Sequence, residues 1–541
     1  MKKQNILIIT LLSLMYLIVN ILYWYINSPI YPVDNASELF KDIFSNSFWY
    51  FNGPLITWIF KITIMLFGLK YIDLQLIIVN YFFFVLALCF VYKLGKELKN
   101  AKVGIIATIL FSLTPAVYLM SRRFGHQDWH IMVATTVSVY FLIKTDYFKN
   151  SLYSIFYAIS ISFGLLIKDS FVLYFIAPYV YIILKTTINK INLNKIINIL
   201  LTIIIPALIT GYHYFVNNGM YKVFREAIID PAPIFSSDNL FPLTVNLWDT
   251  ILSLPIFLLF MISLVWFIAY YKKIHKSTNI NIIFLWFFVP YFTLMFIKQC
   301  ARIHHILPII PPIIFIVSIF LSNLKNKLLK KFIIAITMIV LLSQYIIFSF
   351  PPSRISKLFD NYVSIFGLEF MYYDKNNLFI KHDDENLQRF LNYLRDKYTN
   401  QNKIILFYFG YEPYNIYLIN SYLLFNGFKT DVKQQAEDND YKILKNFDIV
   451  MLLTSGLETE EEFANSLTQM QIVGNYIPKE DIENFRKKSL INIRNIVKSI
   501  REDYFIIDKM YIYQEDKEYE IVLFGKKDKY KELENVEYKV F

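Results

Sequence analysis

Long apolar runs, separated by short polar connections, dominate the first 350 residues of the chain. A transmembrane helix needs about 20 mostly apolar residues. By this measure the sequence predicts eleven membrane-spanning helices, near residues 5–26, 72–92, 103–120, 131–147, 152–167, 170–184, 196–215, 250–271, 279–297, 306–322 and 332–350. The apolar run 54–68 is shorter, contains Lys61 and follows Asn52-Gly53-Pro54, so we predict that it forms an interfacial helix lying on the bilayer.

The pattern changes after Pro351-Pro352, where the elements become shorter and mixed. Residues 384–400, 412–425 and 482–501 have helical periodicity. Strands are predicted at 403–409, near 447–453, and as a hairpin of 510–514 with 519–524. The sequence therefore predicts a polytopic α-helical membrane domain, residues 1–350, followed by a C-terminal soluble α/β domain, residues 351–541.

Composition supports a membrane protein. The chain is 56% hydrophobic with a mean hydropathy of +0.41, and only 18% of its residues are charged, against about 25% in ordinary globular proteins. This excludes a cytosolic enzyme, a disordered scaffold and a nucleic-acid binder, despite a pI of 9.1. Two cysteines, Cys89 and Cys300, exclude a disulfide-stapled secreted domain.

The charges of the membrane domain are divided unequally between its two faces. One set of alternating connections carries 18 Lys, whereas the opposite set carries 10 Lys and Arg. By the positive-inside rule the N-terminus is cytoplasmic and, after eleven spans, residues 351–541 lie outside. Ten of the 12 acids of residues 1–350 then lie on the outer face. A transporter more typically places such groups near the midplane, so we predict an enzyme that works at the outer membrane surface.

Two outer loops carry most of the candidate chemistry. After the first span, Asp34 and Glu38 are spaced i, i+4, so a helix there would present both carboxylates on one face; alternatively, Asp34 is a helix N-cap. The second loop holds Arg122, Arg123, His126, Asp128 and His130. Its arginines suit phosphate, and Asp128 is either a base or, with His130, a cation ligand. The alternative is a solvated interfacial loop with snorkelling arginines.

Further cations lie at the outer ends of later spans. Lys168-Asp169 interrupts two apolar runs and is either a self-neutralising pair or part of a site. Lys298, Arg302, His304 and His305 cluster before Pro308, where an anionic lipid head is the natural partner. Acids plus distributed cations at this boundary fit a base that deprotonates an acceptor hydroxyl, with cations holding a phosphate leaving group. This is glycosyl transfer from a lipid-phosphate sugar.

Residues 1–350 resemble the GT-C superfamily of polyprenyl-phosphate-dependent glycosyltransferases, in particular the branch of protein O-mannosyltransferases and lipid A aminoarabinose transferases. The resemblance is carried by motifs in order along the chain: Asp34 after the first span, Asn52-Gly53-Pro54-Leu55, Leu66-Phe67-Gly68, Leu113-Thr114-Pro115, Asp128, Gly164 to Lys168, and Arg302 to Pro308. Residues 121–130 are also similar to the outer-loop motif of oligosaccharyltransferases, whose Asp and the residue two later bind a divalent metal. The sequon-reading Trp-Trp-Asp-Tyr-Gly motif of those enzymes is absent; the nearest segment is Phe407 to Tyr411.

The resemblance implies a role for each candidate residue. Asp34 is the expected catalytic base, with Asp128 and Glu38 as further catalytic acids. The donor phosphate would be held by Arg122, Arg123, Lys168, Lys298, Arg302 and His304. Whether Asp34, Asp128 and His130 hold a divalent cation (Mg²⁺ or Mn²⁺, or Zn²⁺) is open, and we favour metal-independent catalysis.

The expected partners are a polyprenyl-phosphate-linked sugar, a protein, lipid or glycan acceptor, and the lipid bilayer of the plasma (inner) membrane. Nucleic acid is not expected among them. The alternatives are an oligosaccharyltransferase-like en bloc glycan transferase and, less favoured, a polysaccharide transporter or polymerase.

Overall fold

A computed structural model describes the helices and the strands of the chain. The described residues are 3–27, 54–67, 72–121, 127–188, 192–217, 247, 252–274, 278–296, 303–347, 403–409, 429–433, 449–454, 491, 495, 498, 500, 502–514 and 517–527. They fall into two compact units, one of helices and one containing the strands. The predicted domain boundary at residue 350 lies outside the described residues and stays a prediction.

The described part of the helical unit consists of α-helices and one 3₁₀ segment. The α-helices are α1 (Lys3–Asn27), α2 (Pro54–Phe67), α3 (Ile72–Leu98), α4 (Ala101–Leu113), α5 (Pro115–Met120), α6 (Gln127–Lys144), α7 (Ser151–Ile167), α8 (Phe171–Ile188), α9 (Leu193–Asn217), α10 (Leu254–Ile274), α11 (Thr278–Phe296), α12 (Ile310–Asn323) and α13 (Lys327–Ile347). The 3₁₀ segment, Ile303–Ile309, leads directly into α12.

A helix lies at each of the predicted spans. Six of the described helices are long and apolar enough to cross a membrane: Asn5–Leu22, Ile77–Leu98, Phe171–Ile188, Leu193–Gly211, His305–Asn323 and Lys327–Ile346. The protein is therefore a multi-pass helical membrane protein, while the count of eleven crossings stays a prediction. The run predicted to be interfacial forms α2, and exposes Met65, Leu66 and Phe67; its position relative to the bilayer stays a prediction.

Local chemistry sets where α4 begins and ends. The Asn100 side chain accepts a hydrogen bond from the Val103 N–H at 3.2 Å and so caps the helix. Pro115 follows the last residue, Leu113, by two positions, and proline has no N–H to continue the α-helical ladder. The predicted span 103–120 is therefore two helices, α4 and α5, that meet at Thr114.

Two glycines let α3 and α4 pack backbone against backbone. A Cβ at Gly95 would lie 2.8 Å from the Cα of Gly104, and one at Gly104 would lie 2.6 Å from the Tyr92 carbonyl. α1 packs on the same pair: Tyr16 stacks on Phe84 at 3.9 Å. The Tyr16 hydroxyl also donates to the Ser121 hydroxyl at 2.8 Å. These contacts hold the end of α5, from which the second outer loop begins.

The core of the helical unit runs along α12. Its residues from Ile310 to Leu321 are all buried, whereas α13 exposes Leu328, Phe332 and Ile339. A helix that is apolar and buried on all its faces is expected at the centre of a helical bundle. α12 therefore fixes the position of the 3₁₀ segment that precedes it.

The second unit contains a five-stranded sheet with strand order β2-β1-β3-β5-β4. The strands are β1 (Lys403–Phe409), β2 (Lys429–Lys433), β3 (Ile449–Thr454), β4 (Tyr504–Gln514) and β5 (Lys517–Lys526). β1 is parallel to β2 and β3, and β4 and β5 form the predicted antiparallel hairpin. The strand predictions are confirmed. The predicted helices 384–400 and 412–425 lie outside the described residues, so the α/β class of this unit stays a prediction.

Candidate functional site

A buried ion pair joins the start of α6 to the end of α7. The Lys168 ammonium donates to both carboxylate oxygens of Asp128, at 2.9 and 3.2 Å. Asp128 is the second residue of α6, where a carboxylate is favoured by the unpaired N–H groups and the positive end of the helix dipole. Two residues that the sequence assigned to one site, forty positions apart, are thus in direct contact.

Lys168 owes its position to the tight connection between α7 and α8. It follows the last residue of α7 in an extended conformation, with its N–H donating to the Gly164 carbonyl. The connection between α7 and α8 is only three residues long, from Lys168 to Ser170. At Gly164 a Cβ would lie 2.4 Å from the Phe171 ring, so glycine is what allows the first residue of α8 to pack there.

His305 is the third member of the cluster. Its Nδ1 lies 3.7 Å from Asp128 Oδ1, and it belongs to the 3₁₀ segment at the head of α12. The Tyr174 hydroxyl of α8 donates to the His305 carbonyl at 2.6 Å, which holds that segment in place. Asp128 of α6, Lys168 of the α7–α8 connection and His305 of the 3₁₀ segment therefore lie close together.

The acid of this cluster is buried and its cations are more accessible. The Asp128 side chain is 1% exposed, whereas those of Lys168 and His305 are 22% and 20% exposed. A buried carboxylate is stable only when it is paired and hydrogen-bonded, and Lys168 supplies both. An incoming group would therefore meet the ammonium and the imidazole first, which favours an anion.

The pairing decides between alternatives that the sequence left open. Lys168 forms its ion pair with Asp128 and is thus not simply neutralised by its neighbour Asp169. Of the two adjacent histidines, His305 contacts Asp128, although His304 was the predicted phosphate ligand. The side chain of His304 lies outside the described residues. From the sequence, His305 belongs to the cationic cluster before Pro308 but is not a predicted phosphate ligand. Tyr174 was not assigned to the site.

His130 lies on another side of α6. Positions i and i+2 of an α-helix are about 200° apart around the axis, and the His130 ring packs edge-on against Phe83 of α3 at 4.6 Å. Both oxygens of Asp128 already accept from Lys168. Within the described ranges no three His, Cys, Asp or Glu side chains group closely enough to hold a metal ion. Whether Asp34, Asp128 and His130 hold a cation stays a prediction, because Asp34 lies outside the described residues.

Most of the other predicted site residues lie outside the described residues. They are Asp34, Glu38, Arg122, Arg123, Lys298 and Arg302. Their roles stay predictions.

The comparisons with known proteins connect this geometry to a family. Residues 52–212 match the family model described as dolichyl-phosphate-mannose-protein mannosyltransferase, a segment that contains Asp128 and Lys168. No curated protein sequence matches the chain.

Solved structures match over nearly the whole chain. One is ArnT from Cupriavidus metallidurans bound to undecaprenyl phosphate, at 11% identity and a TM-score of 0.52, covering 94% of this chain and 97% of that one. The apo form of the same protein matches with the same values. Another is the oligosaccharyltransferase AglB from Archaeoglobus fulgidus, in complex with an inhibitory peptide and a dolichol-phosphate. It is 10% identical with a TM-score of 0.50, covering 94% of this chain and 73% of that one.

These matches define the class of the protein. Its fold is similar to the folds of ArnT and AglB, and residues 52–212 of its helical unit match a glycosyltransferase family model. The resemblance predicted from the sequence, to the GT-C superfamily of polyprenyl-phosphate-dependent glycosyltransferases, is therefore confirmed.

Proposed function

We propose that the protein transfers a sugar from a polyprenyl-phosphate donor to a hydroxyl group of a protein, lipid or glycan on the outer face of the plasma membrane. The observation that carries this proposal is the buried Asp128–Lys168 pair with His305 beside it. Two structures that share the fold, ArnT and AglB, contain undecaprenyl phosphate and dolichol-phosphate. An ammonium and an imidazole next to lipid are suited to a phosphate of this kind.

The reaction requires stabilisation of the leaving phosphate and removal of the acceptor proton, and residues of these types can do both. The bond between the sugar's anomeric carbon and the phosphate oxygen breaks, and the lipid phosphate leaves with an additional negative charge. The acceptor oxygen bonds to the same carbon and gives up its proton to a base. Fixed cations stabilise the leaving charge, and a carboxylate within hydrogen-bond reach takes the proton.

We assign the base to Asp34, with Glu38 four residues later, because the sequence predicts that the first outer loop holds both acids at the membrane surface. We assign a different role to Asp128. Its carboxylate is buried and occupied by Lys168, so it orients that ammonium toward the phosphate rather than taking the acceptor proton. Lys168 keeps one N–H donor beyond the two it gives to Asp128, since an ammonium has three.

The remaining predicted cations extend the phosphate site. Arg122 and Arg123 lie a few residues before Asp128 in the chain, and Lys298, Arg302 and His304 lie just before His305. Both groups are therefore close in the chain to members of the Asp128 cluster. We propose that they bind the donor phosphate, with guanidinium groups offering paired donors to its oxygens.

An oligosaccharyltransferase-like reaction is the second candidate. It is favoured by the spacing of Ser121, Gly125, Asp128 and His130 and by the fold shared with AglB. Its predicted cation would need Asp128 as a ligand, which Lys168 now occupies. Metal-independent sugar transfer therefore remains the proposal that we favour.

The proposed activity is tested by mass spectrometry of surface glycans and glycolipids from cells with and without the gene. Wild type should restore one sugar-bearing species that is missing in its absence, and Asp128→Asn should not. Asp146→Asn is the matched control, because Asp146 also pairs with a lysine, Lys149, but in the connection between α6 and α7. Identical glycans with and without the gene would refute the proposal.

A further inference from the structure

Three lysines gather where the ends of four helices meet. Lys99 follows α3, Lys102 lies in the first turn of α4, and Lys330 lies in the first turn of α13. We call these residues the lysine cluster. The Lys99 ammonium donates to the Ser322 hydroxyl at 3.0 Å and to the Asn323 side chain, and the Lys330 ammonium donates to the Ser322 carbonyl at 3.2 Å.

The lysine cluster lies at the opposite end of α12 from the candidate site. His305 stands at the head of the 3₁₀ segment and α12, whereas Ser322 and Asn323 end that helix. The intervening residues span about 30 Å, which is about the thickness of the hydrocarbon core of a bilayer. The cluster therefore lies at the other membrane boundary, on the side to which the loop charges assign the cytoplasm.

These positive charges are close together. Lys99 and Lys330 contact the same serine, and Lys102 is near enough to Lys330 for their charges to repel each other. Partial burial lowers the pKa of Lys99 from its ordinary value, and the charge of Lys330 lowers it further. Like charges held together in this way disfavour one another unless an anion joins them.

No carboxylate supplies that anion among the described residues. Glu97, in the last turn of α3, pairs with Lys144 at 3.3 Å, and Asp146, in the connection after α6, pairs with Lys149 at 2.9 Å. The lysine cluster forms no ion pair within the described part of the chain, although its Lys99 and Lys330 hydrogen-bond to the end of α12.

Capping of α12 accounts for only part of the cluster. Lysines near a helix C-terminus bind its last carbonyl groups and complement the helix dipole, as Lys330 does. An ammonium has three N–H donors, of which Lys99 uses two and Lys330 one. Lys102 has no protein partner among the described residues. Several donors thus remain for a further ligand.

The place of the lysine cluster in the fold favours a lipid over a soluble anion. The cluster lies about 30 Å from His305 along α12, at the boundary where phospholipid headgroups lie. The helix that carries Lys330 also exposes apolar side chains, among them Leu328 at 78% and Phe332 at 61%, as expected of a helix that borders lipid. A soluble anion would use only the cations.

We propose that the lysine cluster of Lys99, Lys102 and Lys330 binds the phosphate of an anionic phospholipid headgroup whose acyl chains lie in the adjoining bilayer. Juxtamembrane lysines are attracted to anionic lipids in this way. The site is separate from the Asp128 cluster and independent of the reaction proposed for it.

Native mass spectrometry of the full chain in detergent tests the proposal. Phosphatidylglycerol and phosphatidylcholine with the same acyl chains are titrated in parallel, and inorganic phosphate is added as a competitor. Wild type should prefer phosphatidylglycerol. Each single substitution Lys99→Gln, Lys102→Gln or Lys330→Gln should weaken its binding about fivefold, and the triple substitution about 100-fold.

Two further variants keep the result interpretable. Lys149→Gln removes a lysine that already pairs with Asp146, and should leave lipid binding unchanged. The triple arginine variant keeps the charges and should keep the preference, which separates lost charge from lost folding. Equal binding of both lipids, an unchanged preference in the triple Gln variant, or displacement of the lipid by millimolar phosphate would overturn the proposal, the last in favour of a soluble-anion site.

Discussion

The ammonium of Lys168 donates to both carboxylate oxygens of Asp128, at 2.9 and 3.2 Å, and thereby ties the end of α7 to the start of α6. The lysine hydrogen-bonds both oxygens of the buried acid, and the acid fixes the direction of the lysine side chain. The ion pair thus holds the Lys168 ammonium in one orientation, as binding to a donor phosphate requires.

The first prediction concerns the energy of this pair. Removing one partner of a buried ion pair typically costs about 3–5 kcal/mol, because the other charge stays buried without compensation. Lys168→Met should therefore destabilise the protein strongly. Adding Asp128→Asn should recover part of the loss, with a coupling of about 0.5–3 kcal/mol measured from chemical or thermal unfolding in detergent.

The pair Lys149 and Asp146 provides the control for this cycle. Their side chains are 57% and 59% exposed, and exposed pairs contribute at most about 1 kcal/mol. The equivalent cycle should therefore show little coupling. Additive losses at Asp128 and Lys168 would mean that the pair does not stabilise the fold.

The second prediction concerns the proposed base. Asp34→Asn should lower turnover by about 10²–10⁴-fold, the usual contribution of a general base, without lowering the amount of inserted protein. Glu38→Gln, four residues later, should have a smaller effect if Asp34 takes the proton. Near-wild-type activity of Asp34→Asn, measured with a lipid-phosphate sugar donor, would exclude this assignment.

The third prediction separates the two chemistries. Metal-independent catalysis should persist after exhaustive chelation with EDTA. Arg302→Gln should raise the KM for the donor far more than that for the acceptor, because a charge-assisted contact to phosphate is lost. Activity that disappears in EDTA, returns with Mn²⁺ or Mg²⁺, and cannot be restored in His130→Ala would instead establish the metal-dependent reaction.

The fourth prediction tests how packing supports the site. At Gly164 a Cβ would meet the Phe171 ring at 2.4 Å, so Gly164→Ala must displace the start of α8 and, with it, Lys168. Overpacking of this kind typically costs about 1–3 kcal/mol, and we expect reduced turnover as well. Gly211→Ala is the matched control, since a Cβ there has nothing within 4 Å.

A second substitution identifies the cause of any loss. Phe171→Leu removes the ring and should restore part of the stability lost in Gly164→Ala. If the single variant is as stable and active as Gly211→Ala, close packing at this connection is not required.

The fifth prediction concerns topology. In a chain whose Cys89 and Cys300 are replaced by Ser, a cysteine at Ser455 should react with a membrane-impermeant thiol reagent added outside the cell. A cysteine at Ser277 should react only after permeabilisation. The reverse pattern would show that the protein has the opposite orientation in the membrane and that the acids of residues 1–350 do not face outward.

Local patterns predicted the secondary structure well. Apolar runs of the length needed to cross a bilayer predicted a helix at each observed position, and alternation predicted the hairpin of β4 and β5. Two features were not predicted: the strand β2, Lys429–Lys433, and the break in the run 103–120. The reason is clear for the run 103–120. Its hydropathy is continuous, but Pro115 removes an N–H from the ladder and divides it into α4 and α5. Hydropathy alone does not detect such a break.

The sequence by itself determined the class of the protein, its helices and the polar residues that interrupt them, because these depend on composition and on near neighbours in the chain. It also led to the resemblance that the comparisons confirm. Only the tertiary structure decided which of these residues meet. Asp128 pairs with Lys168, forty residues later in the chain, and His305 lies beside this pair. Those choices follow from the rotation of α6, the tight α7–α8 connection at Gly164, and the 3₁₀ segment before α12. They are long-range packing relationships that no local pattern contains.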